Sequence, residues 1–204
     1  MITAIVPAAG HSRRMGTPKL LLPLAGTTVI GCVVDALLGA SIDQVLVVVR
    51  PDDSRLRAAL AERRVQFVPN PDPDGDMLSS VRCGLLALPA SCETAIIAPG
   101  DQPGLSAALV RDLIAAYRAS DRSILVPTHA GRRGHPLLFS TRYRDEILSQ
   151  FDGVGLRGLL LSHPGEVLQW PTSDPAVLED LDDPDDYRRA VQGSARPDSL
   201  VGWD

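Results

Sequence analysis

The chain has 204 residues, 45% hydrophobic and 22% charged, with a formal charge of −5. That length supplies one large α/β core, and the mildly acidic balance excludes the basic face that a nucleic acid or an anionic membrane surface requires. Cys32, Cys83 and Cys92 are too few and too irregular for a disulfide framework or a zinc site, so they read as free thiols of a reducing compartment.

The pattern predicts a buried first strand over residues 3–7, and no basic segment precedes it. No run is long enough to span a bilayer, so a cytoplasmic location is expected. The strand is followed by Ala8-Ala9-Gly10-His11-Ser12-Arg13-Arg14-Met15-Gly16-Thr17-Pro18-Lys19. Small residues let backbone amides approach a ligand, and Arg13, Arg14 and Lys19 bring cations to the same loop. Amides beside fixed positive charge suit a polyphosphate. The two common phosphate loops do not fit. A dinucleotide fingerprint needs glycines where Ser12 and Arg13 to Met15 stand, and a Walker loop needs Gly-Lys-Ser/Thr where the chain has Gly16-Thr17-Pro18.

Farther along, a helix is expected over 28–39, with Val29, Val33, Ala36 and Leu37 on one face. A strand at 44–49, a helix at 53–63, a strand at 65–68, a helix at 77–88 and a strand at 94–98 follow. Ser106 caps a helix to about Arg118, and 124–128 is another strand. Residues 129–134 read as a tight turn and 136–139 as an extended piece. Helices at 142–151 and 156–162, a strand at 167–171 and a helix at 184–191 complete the pattern. Residues 1–192 read as one domain and 193–204 as a loose tail. Strands alternating with crossover helices mean a mostly parallel sheet with helices on both faces, and its ligands bind beyond the carboxyl ends of the strands. Both 8–19 and 100–103 follow such ends.

Asp101 sits just past a buried strand. Alone it reads as a turn or cap aspartate; across a crevice from a phosphate loop it can hold Mg²⁺ against phosphate oxygens. Asp180, Asp182, Asp183, Asp185 and Asp186 form an acidic run at a helical segment with Pro184 in its first turn, which as a structural feature is an acidic helix start. His135, in Gly134-His135-Pro136, reads as a structural turn histidine ahead of a general base, since a phosphate monoester needs no base to attack.

These motifs together carry a resemblance. Ala8-Ala9-Gly10-x-Ser12-x-Arg14-Met15-Gly16-x-x-Lys19, then Leu21-Leu22-Pro23, resembles the nucleotide-binding signature of the MobA-like nucleotidyltransferases, and within them the molybdenum cofactor cytidylyltransferases. The stretch 70–85 with Met77 and Ser80, Gly100-Asp101-Gln102-Pro103, Gly134-His135-Pro136 and Asp180-Leu181-Asp182 with Pro184 and Asp186 continue it in family order to about Arg189. The resemblance implies a Rossmann-like α/β/α sandwich of the nucleotide-diphospho-sugar transferase type. It implies transfer of a nucleotidyl group from an NTP, CTP first, to a phosphate-bearing acceptor with Mg²⁺. Lys19 would stabilise charge on the α-phosphate and on the leaving pyrophosphate, and Arg14 would contact the outer phosphates. Ala8, Ala9, Gly10, Ser12, Gly16, Asn70, Ser80 and Gly100 would bind the nucleotide. Asp101 and Asp182 would hold the metal, with Asp180 behind them, and Gly134, His135 and Arg157 would face the acceptor. The implied acceptor is molybdopterin bearing molybdenum, and the implied partner a molybdenum hydroxylase of the xanthine dehydrogenase type or its maturation factor.

The chain departs from the pattern in two places. Asp76 and Pro73 stand where glycine and an aromatic are common, and Asp152-Gly153-Val154-Gly155-Leu156-Arg157 stands where an acidic and a basic residue lie between the glycines. The second departure is on the acceptor side. A sugar phosphate or another phosphomonoester therefore stays open as acceptor, as does a non-catalytic accessory protein; a dehydrogenase ranks below both.

Overall fold

The computed structural model describes residues 1–10, 15–72 and 74–194. In chain order its elements are β1 (Ile2–Pro7), β2 (Pro23–Leu24), β3 (Thr27–Thr28), α1 (Val29–Leu38), β4 (Gln44–Val49), α2 (Ser54–Ala59), β5 (Gln66–Pro69), α3 (Met77–Leu86) and β6 (Thr94–Ile97). Then come α4 (Ala107–Ala119), β7 (Ile124–His129), β8 (Arg132–Arg133), β9 (Leu137–Ser140), α5 (Arg144–Ser149), α6 (Arg157–Ser162), β10 (Val167–Pro171) and α7 (Pro184–Ser194). The main sheet runs β10-β7-β9-β6-β1-β4-β5, with β8 paired to β7. β6, β1, β4 and β5 pair in parallel, as do β7 and β10, whereas β9 enters antiparallel between β6 and β7. The sheet is mixed and mostly parallel, as the alternation of strands and helices predicts.

Gln-Val-Leu-Val-Val-Val in β4 is buried on both faces, which is why it reads as an unbroken apolar run. The period of two divides its side chains between two cores. Val45, Val47 and Val49 join Ala4 and Val6 of β1 against α1 and α4, while Leu46 and Val48 join Ile5 against α3, α5 and α6. Polar caps set the helix starts. Thr28, Asp53, Asp76 and Ser106 accept hydrogen bonds from the backbone amides of Gly31, Leu56, Ser79 and Leu109, each worth about 1 kcal/mol.

The differences from expectation are local. The helix expected over 53–63 ends at Ala59, where the Leu60 amide turns back to Ala58 and Arg57. The hairpin of β2 and β3 was not expected, because two-residue strands show no alternation; Ala25 (φ 49°) and Gly26 (φ 78°) both lie in the left-handed region, as a type I′ turn demands. The extended piece at 136–139 is the inserted antiparallel strand. From residue 195 on, the tail expected at 193–204 lies outside the described residues, as do Ser12 and Arg14. Cys32, Cys83 and Cys92 are free thiols, and among the described residues no helix is long and apolar enough to cross a membrane.

Candidate active site

Segments far apart in sequence meet at the carboxyl ends of the central strands. Beyond β1, the Ala8 amide donates to the Val48 carbonyl at 2.8 Å and starts the loop toward Lys19. Beyond β6, the Gly100 amide donates to the Pro7 carbonyl at 3.3 Å, and a Cβ on Gly100 would stand 3.2 Å from that same oxygen. Glycine there lets the two strand ends close up. The Leu181 amide donates to the Asp101 carbonyl at 2.9 Å, which ties the acidic run to the β6 end.

Within that run the chemistry divides. Asp183 accepts from the amides of Asp185 and Asp186, and Asp186 accepts from those of Asp182 and Asp183. Asp183 and Asp186 thus form a reciprocal cap of α7 with Pro184 in its first turn. The cap leaves Asp182 to turn toward the strand ends. Lys19, the single lysine of the chain, bridges the two segments: its Nζ is 2.7 Å from Asp101 Oδ2 and 3.2 Å from Asp182 Oδ1. The Lys19 side chain is only 15% exposed. Burial works against its charge, but the bonds and charges of Asp101 and then Asp182 prevail and hold it above the ordinary lysine value. It stays an ammonium at any physiological pH.

A cavity of about 640 Å³ opens over this centre. Ala8, Ala9 and Gly10 line it on one side, Asp76, Met77 and Ser80 at the start of α3 on another, and Asp101, Gln102, His135, Asp180 and Asp182 beyond. Among the described residues a Cβ on Gly10 would meet no atom within 4 Å, and the glycine lines the cavity. Asp180 is held above the ordinary carboxylate value, chiefly by partial burial and then by the charges of Asp182 and Asp101. His135 is pulled well below the ordinary histidine value by burial, against the charge of Asp101. Its ring is neutral at pH 7.

Several expected residues stand elsewhere. Asn70, 1% exposed, lies behind Ser80: its Nδ2 donates to Ser79 Oγ at 3.1 Å and Ser80 Oγ at 3.2 Å, which fixes the hydroxyls at the start of α3. Gly16 (φ 63°) lines a smaller neighbouring cavity of about 310 Å³ with Arg50 and Arg55. Arg157 is exposed at the start of α6 and does not line the main cavity. Gly134 is a packing glycine. Its amide donates to the Pro127 carbonyl at 2.9 Å, and a Cβ there would run into the Val177 carbonyl oxygen. Gly134→Ala should therefore destabilise by about 2–3 kcal/mol, because the obstacle is backbone that cannot swing aside. A melting curve checks this, and an unchanged Tm would contradict it. Gln102 and Met77 line the cavity beyond the expected set; only their places in motifs hinted at it.

A family model described as the MobA-like NTP transferase domain matches residues 4–167. The chain belongs to that family.

This MobA-like protein is a nucleotidyltransferase of the nucleotide-diphospho-sugar transferase fold type. It is 27% identical over 193 residues to the molybdenum cofactor cytidylyltransferase of Escherichia coli (strain K12), covering 94% of this chain and 96% of that one. It is 29% identical over 188 residues to the nicotine blue oxidoreductase of Paenarthrobacter nicotinovorans, covering 89% and 92%. Among solved structures it is similar to Rv0371c from Mycobacterium tuberculosis H37Rv, with a TM-score of 0.83, 33% identity and coverage of 94% and 98%; a complex of that protein with manganese matches at a TM-score of 0.75 and 32% identity, covering 94% and 98%.

Proposed function

We propose that this chain, as one catalytic domain over residues 1–192, transfers CMP from CTP to a phosphate-bearing acceptor, molybdopterin carrying molybdenum first, and releases pyrophosphate. The observation that carries the reading is the Asp101–Lys19–Asp182 bridge at the mouth of a loop of small residues. A binding protein does not need two carboxylates aimed at one cation position; a phosphoryl-transfer centre does. The acceptor phosphate attacks the α-phosphorus in line, and its own oxygen is nucleophile enough without a base.

The donor set fits a divalent cation that shares its shell between protein and substrate. Among the described residues no three His, Cys, Asp or Glu side chains are grouped to hold a metal, and two carboxylates plus phosphate oxygens are what Mg²⁺ typically takes. Asp101 and Asp182 would hold it, and when bound it neutralises negative charge on the phosphates. The manganese complex of the M. tuberculosis relative supports a divalent ion. Lys19 places its ammonium beside those oxygens, and Ala8 to Gly10 let the triphosphate lie against backbone. Arg14, outside the described residues, is proposed for the outer phosphates with Ser12 beside it. His135, neutral and half-buried at the cavity wall, orients the acceptor and does not abstract a proton. The E. coli relative's name supports the choice of acceptor; a cytoplasmic setting and delivery to a molybdenum hydroxylase or its maturation factor complete the proposal.

CTP should exceed GTP in kcat/KM by at least about tenfold, or about 1.4 kcal/mol. Ala9 and, at the start of α3, Met77 and Ser80 line the cavity, and a mismatched base edge would leave buried donors and acceptors unpaired. Equal values, or a preference for GTP, would overturn the cytidylyl assignment and leave nucleotidyl transfer standing. Redox conversion of nicotine blue with no pyrophosphate released would instead favour the chemistry in the name of the P. nicotinovorans relative.

A further inference from the structure

Gln102 takes no part in the centre described above, yet it is 5% exposed and lines the cavity. Among the described residues its carboxamide has no hydrogen-bond partner, and its polar atoms are not among those sealed from solvent, so they are open to a ligand in the cavity. Its neighbours in the chain are well tied: the Gln102 amide donates to the Pro99 carbonyl and its carbonyl accepts from Leu105. The backbone at Gln102 is thus fixed on both sides, and the residue lines the cavity.

The fold places it on the side away from the nucleotide loop. In the sheet, β9 lies beyond β6 from β1, and His135 leads into β9 as Gln102 follows β6. The turn Pro175–Leu178 lies against both: a Cβ on Gly104 would come 3.2 Å from Ala176 Cβ, and the His135 amide donates to the Val177 carbonyl at 2.8 Å. The ring nitrogens of His135 likewise have no partner among the described residues. Four carboxylates, Asp76, Asp101, Asp180 and Asp182, line the same cavity, and among its described lining residues Lys19 is the only permanent cation.

We propose that Gln102 forms a charge-free acceptor subsite that selects phosphomonoesters bearing a hydroxyl or another neutral hydrogen-bonding group over those bearing a carboxylate. The proposal rests on the nucleotidyl-transfer reading, since that reading supplies the phosphate's place beside Lys19. A carboxamide offers one donor edge and one acceptor oxygen, which a hydroxyl satisfies by accepting and donating at once. A carboxylate can only accept. It would leave Gln102 Oε1 unpaired, and Asp76 and Asp180, the lining carboxylates that bind neither Lys19 nor the divalent cation, would repel it.

The test uses two probes that differ by a hydroxymethyl against a carboxylate at one end: sn-glycerol 3-phosphate and 3-phosphoglycerate. Each is titrated calorimetrically into the full chain with Mg²⁺ and a non-hydrolysable CTP analogue. Glycerol 3-phosphate should bind at least about tenfold more tightly than 3-phosphoglycerate. Gln102→Met, which keeps the length and removes the amide, should weaken glycerol 3-phosphate at least about fivefold and leave 3-phosphoglycerate within about twofold. Should that variant not fold, Gln102→Glu keeps the shape and should widen the ratio, because it adds a like charge against the second probe. Equal affinities, a preference for 3-phosphoglycerate, no binding of either probe up to about 10 mM, or a ratio unmoved in the folded variant overturns the proposal. Pyrophosphate release by the unmodified chain is followed in parallel. Selectivity without transfer would sink the functional reading alone, and transfer without selectivity would sink the subsite alone.

Discussion

Asp101→Asn should lower kcat at least about 10³-fold while Tm stays within a few degrees. Asp101 stands just past the end of β6 and packs no core; its neighbours Ala98 and Gly100 do that. Its backbone carbonyl, which the substitution keeps, still anchors the Leu181 amide. The side chain contributes charge to Lys19 at 2.7 Å and, in the reaction, to a divalent cation. An amide oxygen in the same place keeps the shape and loses the charge, which is the quantity the metal requires. Lys19 retains Asp182 at 3.2 Å, so no cation is stranded in the fold. Turnover near that of the unmodified protein in Mg²⁺, measured as pyrophosphate release, would refute the assignment. A large loss of Tm would make the effect structural.

Lys19→Ala should lower kcat by about 10²–10³ and weaken CTP binding by less than about tenfold. The ammonium is held between two carboxylates before substrate arrives, so its position is fixed in advance and needs no reorganisation as charge builds on the leaving pyrophosphate. Lys19→Arg should fail almost as badly. Nineteen is the one position where this arginine-rich chain keeps lysine, and a planar guanidinium cannot sit as a point charge 2.7 Å and 3.2 Å from two separate carboxylates. Single-turnover kinetics separate the cases: a change confined to KM would make Lys19 a binding residue.

The legible parts of the fold were those with strong local physics. β1, β4 and β6 show as apolar runs because they are buried on both faces, and α1 and α4 show through the polar caps Thr28 and Ser106. β2 and β3 are too short to carry a period, and the antiparallel sense of β9 is decided by pairing with Ile97 and Leu125, which local pattern cannot report. In the site, Lys19, Asp101 and Asp182 could be named because a family pattern marks them, and the geometry brings them to one point. The acidic run could not be divided from spacing alone; only the reciprocal cap of Asp183 and Asp186 shows which carboxylates are engaged at the helix start. Glycines in motifs were harder to read, because a tight turn, a close strand approach and a ligand wall all favour the same residue. Gly10 faces the cavity, Gly100 joins two strand ends and Gly134 lets two backbones cross. Asn70, expected at the nucleotide, braces Ser80 from behind, and Gln102, given no role by its motif, lines the cavity.

The most direct measurement is ³¹P NMR of the complete reaction: the protein, Mg²⁺, CTP and molybdenum-bearing molybdopterin, with a panel of sugar phosphates in parallel tubes. Pyrophosphate and a new phosphoanhydride between CMP and one acceptor should form in equal amounts, and neither product with Asp101→Asn. Loss of acceptor signal without pyrophosphate, or pyrophosphate formed undiminished by Asp101→Asn, would contradict that expectation.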